Sequence, residues 1–230
     1  MLIDTKFNVQ SDAKGGDPDS TSLTLKKYHK TLWSKELPSG KKFELTDQKS
    51  GAYLYHNSEL GEFYLGSDAI THSYANQKKF KWITEQIPEQ VQEVYDAGST
   101  IGAYLLFPNR RIDHKFTINQ ARGINAYIND RFDLTLECIR RFYLGEESPL
   151  YDTFDRYKEF FELFDNFEGY IDFFLLNDLV NSQGQIKFYL PFDNFKTRPI
   201  FESIDEYLIY KDKTLKFISA RNSRIEQFFN

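Results

Sequence analysis

Apolar positions in the first part of the chain fall at two different spacings. From Ser22 to Ser34, Leu23, Lys27/Tyr28 and Leu32 lie about a turn apart, which predicts a short helix. Leu37-Pro38-Ser39-Gly40-Lys41 then reads as a turn. From Lys42 to Ser73 the pattern shortens to Phe43-Glu44-Leu45, Tyr53-Leu54-Tyr55-His56 and Phe63-Tyr64-Leu65, punctuated by Gly51, Asn57 and Gly66. Short runs between turn residues predict a small antiparallel meander. Gln86 to Asp96 has the pattern of a surface helix, and Thr100 to Phe107 is an unbroken apolar run closed by Pro108-Asn109, as in a buried strand.

The strongest helical period runs from Thr117 to Tyr143. Ala121, Ile124, Ile128, Phe132, Ile139 and Phe142 share one face, with Thr135 in the gap. Thr117-Ile118-Asn119-Gln120 has the capping-box pattern, and Gly145 suits the stop, so one long helix is expected. Tyr151–Phe164 predicts another helix, and Lys187–Phe192 a strand. Gly169–Val180 fits a helix or a buried strand, with helix favoured, and Phe201–Phe229 is mostly helical. Asn8 to Ser22, with Gly15-Gly16-Asp17-Pro18, reads as a loop-like N-terminal segment. Strands early and helices late predict an α+β fold: a small antiparallel sheet in the N-terminal half and a mostly helical C-terminal half. No Pro, Gly or Ser linker divides residues 1–230, so a single globular domain is expected.

Composition narrows the function classes. A net charge of −5 argues against broad nucleic-acid binding, which needs a basic surface. RNA processing therefore ranks low. The 22 Phe and 15 Tyr residues are expected to fill the core in place of other apolar types. No apolar run approaches the ~20 residues of a membrane span, and no secretory pattern opens the chain. The single cysteine, Cys138, allows neither an internal disulfide nor a multi-cysteine zinc site. A cytoplasmic protein without a membrane partner is expected.

Two segments carry candidate chemistry. In Pro108–Gly123, Arg111, Lys115, Asn119 and Arg122 surround a predicted helix start, where free amides and cationic side chains suit a phosphate-bearing ligand. Gly123 inside the expected helix suggests close approach of a backbone or a ligand. The plainer alternative pairs these cations with Asp113, Asp130 and Asp133. A polar stripe of Asn119, Arg122, Asn129, Asp133, Glu137 and Arg140 faces either solvent or a cleft, depending on burial. In the second segment, Tyr28–Lys35, Trp33 could stack on a base, Lys35 could hold an anion, and His29 could transfer protons. The alternative there is a helix packing Leu32 and Trp33 onto the body. His29, His56, His72 and His114 show no metal-binding spacing, so no metal site is expected, and no nucleotide-loop or hydrolase motif occurs.

Longer strings carry a resemblance. Asp17-Pro18-Asp19-Ser20 through Thr24-Leu25, Tyr28-His29, Leu32-Trp33-Ser34-Lys35 and Leu37-Pro38-Ser39-Gly40 are similar to those of a bacterial family with a domain of unknown function. So are Thr117–Gly123, Asp130–Arg141 and Leu190-Pro191-Phe192-Asp193, and the similarity spans Phe7 to Arg224. It implies a single-domain bacterial protein of this length, and no activity, cofactor or site residue.

The leading expectation is a binding protein or enzyme for an anionic, nucleotide-like ligand. Trp33, Lys35, Arg111, Lys115, Asn119, Arg122 and Arg140 would bind it, and His29 and Glu137 would transfer protons. This requires the two polar segments to meet at one cleft. The alternative is a non-catalytic interaction protein of a bacterial stress or phage-defence system, and a homo-oligomer or a protein partner stays open. The cofactor stays open as well.

Overall fold

Ser22 starts the first full helix as its pattern predicts, its hydroxyl accepting the Leu25 amide at 3.1 Å. The computed structural model describes residues 2–229. The segment expected as a loop holds a 3₁₀ turn at Val9–Asp12 and a one-turn helix, α1 (Pro18–Thr21), capped by Asp17. Next come α2 (Leu23–Trp33) and a two-stranded ribbon of β1 (Lys35–Glu36) and β2 (Lys42–Phe43) around the Pro38–Gly40 turn.

The main sheet has three antiparallel strands in the order β3 (Leu54–Ser58), β4 (Gly61–Ala69), β5 (Tyr104–Pro108). Register places Leu54 opposite Leu65, and Ser67 and Asp68 opposite Leu106 and Leu105. Between β4 and β5 lie α3 (Lys81–Thr84) and α4 (Pro88–Gly98). The helical half follows, with α5 (Ile118–Ile124), α6 (Phe132–Leu144), α7 (Tyr151–Asp155), α8 (Lys158–Glu162), α9 (Phe167–Phe173) and α10 (Ile204–Phe229). The fold is α+β with the expected division between the halves. Buried apolar side chains form one cluster from Ile3 to Ile225, and the aromatic residues supply much of it.

Three expected elements differ. The single helix over 117–143 is two helices: α5 stops at Asn125, whose backbone is extended, and Asn129 and Asp130 adopt left-handed φ angles of 49° and 59° before α6 begins. The helix over 151–164 divides into α7 and α8. No strand forms over 187–192. The Tyr189 amide donates instead to the buried Asp133 carboxylate at 2.9 Å, so a side chain takes a hydrogen bond that a neighbouring strand would supply.

The long α10 fixes the wall of the site described below. Its Tyr210 and Tyr207 hydroxyls donate to the His72 and Ser73 carbonyls at 2.8 and 2.9 Å. Arg221, fully buried, donates to the carbonyls of Gly102 and Tyr104 at 2.8 Å and to that of Phe174 at 3.0 Å. One guanidinium thus ties α10 to the start of β5 and to the end of α9. Among the described residues, no helix is long and apolar enough to cross a membrane.

Candidate functional site

Successive residues of a strand face opposite sides of its sheet, and the end of β4 puts two polar residues, Ser67 and Asp68, in that position. Each anchors a polar cluster.

On the Ser67 side a hydrogen-bonded chain runs outward from the core. The Trp33 indole donates to His29 Nδ1 at 3.0 Å, and an indole N–H can only donate. The His29 proton is therefore assigned to Nε2, which donates to the Ser67 hydroxyl at 2.9 Å. Ser67 donates in turn to Asp19 Oδ1 at 2.9 Å, and the Ala69 amide reaches Asp19 Oδ2 at 3.3 Å. Burial, aided by the charge of Arg221, holds His29 down to about 3, so the ring is neutral. Burial pushes Asp19 up to about 6, against the Ser67 hydrogen bond.

On the Asp68 side, Arg122 is fully buried and ion-paired with Asp68. Its Nε donates to Thr135 Oγ1 at 3.0 Å, its guanidinium lies 5.8 Å from the Phe107 and Phe132 rings, and its Nη2 has no partner. Burial pushes Asp68 up to about 7, Arg122 opposing. Asp130 lies 4.0 Å from His72 Nε2. Its carboxylate also approaches Gly123 closely, where a Cβ would stand 3.3 Å from Oδ1. Tyr74, whose φ of 60° is unusual for a bulky residue, donates from its hydroxyl to the Asn129 carbonyl at 3.0 Å. Three left-handed residues, Tyr74, Asn129 and Asp130, therefore surround this cluster.

A cavity of about 440 Å³ opens between the N-terminal segment, the loop after β4 and α4. Asp17, Asp19, Thr71, His72, Tyr95 and Tyr104 are among its lining residues, and no lysine or arginine is. Thr71 is 7% exposed and its hydroxyl has no partner. Unpartnered buried polar atoms on Thr71, His72, Asn119, Arg122 and Asn129 gather around the end of β4 and the α5–α6 turn. Such atoms are rare in folded proteins and mark places where a ligand or solvent completes the bonding.

The two polar segments singled out in the sequence meet at Ser67 and Asp68 of β4, and neither segment lines the cavity. His29 reaches the Ser67 hydroxyl while Asn119 donates to the Ser67 carbonyl at 3.2 Å, and Arg122 holds the adjacent Asp68. Arg122 therefore pairs with Asp68 rather than with Asp113, Asp130 or Asp133, and Asp133 is held by Arg131. Trp33 is fully buried beside Phe173 and Phe174. Lys35 donates to the Phe173 carbonyl at 2.5 Å beneath the Trp33 and Phe228 rings, and burial lowers it to about 8. Arg111 and Lys115 are exposed on the loop before α5. Glu137 is buried on α6 and bound by both Arg140 and Arg141 at 2.8 Å, so that part of the polar stripe is an internal ion-pair network. None of these last residues lines the cavity.

Asp19, Ser67, Asp68, Thr71 and His72 carry no pattern in the sequence that marks them as site residues. The available signal was a Ser-Asp pair ending an otherwise apolar strand, and Asp17-Pro18-Asp19 as a helix start rather than a loop. Among the described residues, no group of three or more His, Cys, Asp or Glu is placed to hold a metal ion.

Fold and site together define an α+β protein with buried titratable groups beside an acidic cavity. The chain belongs to DUF6994, a family of unknown function whose model matches residues 3–225. No curated protein and no solved structure matches it.

Proposed function

We propose that the chain binds a small amine-bearing molecule in the Asp19–His72 cavity, with Asp19 as the acid–base group that faces it. The carrying observation is the cavity itself, lined by Asp17 and Asp19 without a cation and holding the unpartnered Thr71 hydroxyl. A phosphate group would meet two carboxylates there and no positive partner. An ammonium group gains their attraction, and its N–H donors suit the Thr71 oxygen. Tyr95 and Tyr104 add aromatic lining for the ligand's carbon skeleton or for its charge. A carboxyl in a partly enclosed cavity, oriented from behind by Ser67 and His29, has the arrangement of a proton-transfer group. A cytoplasmic setting belongs to this proposal, in keeping with the absence of any membrane-crossing helix among the described residues.

The test is a thermal-shift panel of ethanolamine, putrescine, spermidine and choline on the protein and on Asp19→Asn. At 100 times its dissociation constant a ligand adds ~2.7 kcal/mol of stability. Stabilisation by an amine that is absent in the folded Asp19→Asn protein supports the reading. No shift with any amine, or a shift unchanged by the substitution, overturns it.

The interaction-protein reading has one observation in its favour. Ile112, Phe116, Ile124 and Tyr127, in one stretch of sequence from before α5 to just after it, are all exposed. Self-association abolished by Phe116→Ser, measured by light scattering, would support it, and a monomer at all concentrations would remove the homo-oligomeric form.

A further inference from the structure

A second opening lies on the opposite part of the chain, between the 178–189 segment and α10. It is a groove of about 300 Å³ floored by Leu179, Phe188, Tyr189 and Phe217, with Lys187, Lys213 and Lys216 at its edge. Its charge is the reverse of the first cavity's. The Lys187 and Lys213 ammonium groups donate to main-chain carbonyls, of Asp178 at 3.3 Å and of Phe188 at 3.0 Å, rather than to carboxylates. Among the described residues none of the three lysines has an ion-pair partner. The carboxylate that lines the groove, Asp178, is already held by Arg224 through two contacts of 3.1 Å. In a chain of net charge −5, three uncompensated cations thus converge on one aromatic-floored groove.

The groove's own chemistry limits its occupant: an anionic group meets the three lysines and an aromatic group meets the floor. The groove's volume is at the lower end of the range for small-molecule sites, which fits one aromatic group with a charged arm.

We infer that this groove binds an aromatic monophosphate, its ring against Phe188 and Phe217 and its phosphate among Lys187, Lys213 and Lys216. Lysines serve as mobile point charges for a phosphate, and the apolar floor supplies the area that inorganic phosphate alone would not use. The site is independent of the amine cavity, since the two share no lining residue.

Isothermal titration of AMP and phenyl phosphate, with adenosine and inorganic phosphate as controls, tests the assignment at low salt. Lys216→Glu is the informative variant, because Lys216 makes no hydrogen bond or ion pair among the described residues and its replacement leaves the packing intact. At least one of the two aromatic phosphates is expected to bind at one site. Adenosine and inorganic phosphate are expected to bind at least tenfold more weakly. Lys216→Glu is expected to weaken the aromatic phosphate at least tenfold, and Asp19→Asn to leave it unchanged. Failure of both aromatic phosphates to bind overturns the inference. So does binding that Lys216→Glu does not alter, or binding that inorganic phosphate matches.

Discussion

His29 and Asp19 share one hydroxyl: Ser67 Oγ accepts from the imidazole at 2.9 Å and donates to the carboxyl at 2.9 Å. The core histidine therefore fixes the direction of a hydrogen bond made at the cavity. Ser67→Ala removes the link, leaving the His29 N–H buried without a partner. The expected cost is ~1–3 kcal/mol in urea unfolding. Ser67→Thr, which keeps the hydroxyl, is expected to lose less.

Asp19 should make the protein less stable as pH rises. Its carboxyl titrates at about 6 in the folded chain against an ordinary 3.8, so between those values the folded state holds more protons than the unfolded one. Stability from this group is fully present below pH 3.8 and lost as pH rises through about 6. Asp17, Asp68 and Arg122 surround it with charge, and the Tyr53 and Tyr104 rings lie close. Asp19→Asn should match the parent near pH 4 and exceed it above pH 7, by at most about 3 kcal/mol. Thermal melts of both proteins across this range check the sign. A variant that is more stable but no longer binds amine would show that the carboxyl is kept for function at a cost to folding.

Arg122→Ala should be severe. It leaves Asp68 without its partner in a buried setting, a change that costs ~3–5 kcal/mol. The double variant Arg122→Ala/Asp68→Asn should recover part of that loss, because the uncompensated charge is gone. Denaturant midpoints of the two single variants and the double variant give the coupling directly.

Arg221→Leu tests the other buried guanidinium. The carbonyls of Gly102, Tyr104 and Phe174 would all lose a donor, and ~3 kcal/mol or more of stability with them. Amide exchange should rise at the start of β5 and the end of α9 more than in β3, since those are the ends Arg221 joins.

The α+β division, α2, α4, α10 and the strands of the main sheet are legible in the sequence because each depends on local period and on nearby turn residues. The break between α5 and α6 is not, since the apolar spacing continues in phase through it and outweighs Asn129-Asp130, a pair well suited to left-handed φ. The missing strand at 187–192 reflects a long-range event, the Asp133 carboxylate taking the Tyr189 amide. The site is half legible for the same reason. Asn119, Arg122 and His29 stand in dense polar segments, whereas Asp19, Ser67 and His72 gain their character only when α1, β4 and α10 enclose them.

The central claim is that Asp19 is an acid–base group facing an amine site, and a carbon-13 NMR titration of its carboxyl measures this directly. The expected midpoint is near pH 6 in the free protein. It should fall when a binding amine is present, because a nearby cation favours the ionised form. A midpoint near the ordinary 3.8, unmoved by any amine in the panel, would contradict the account.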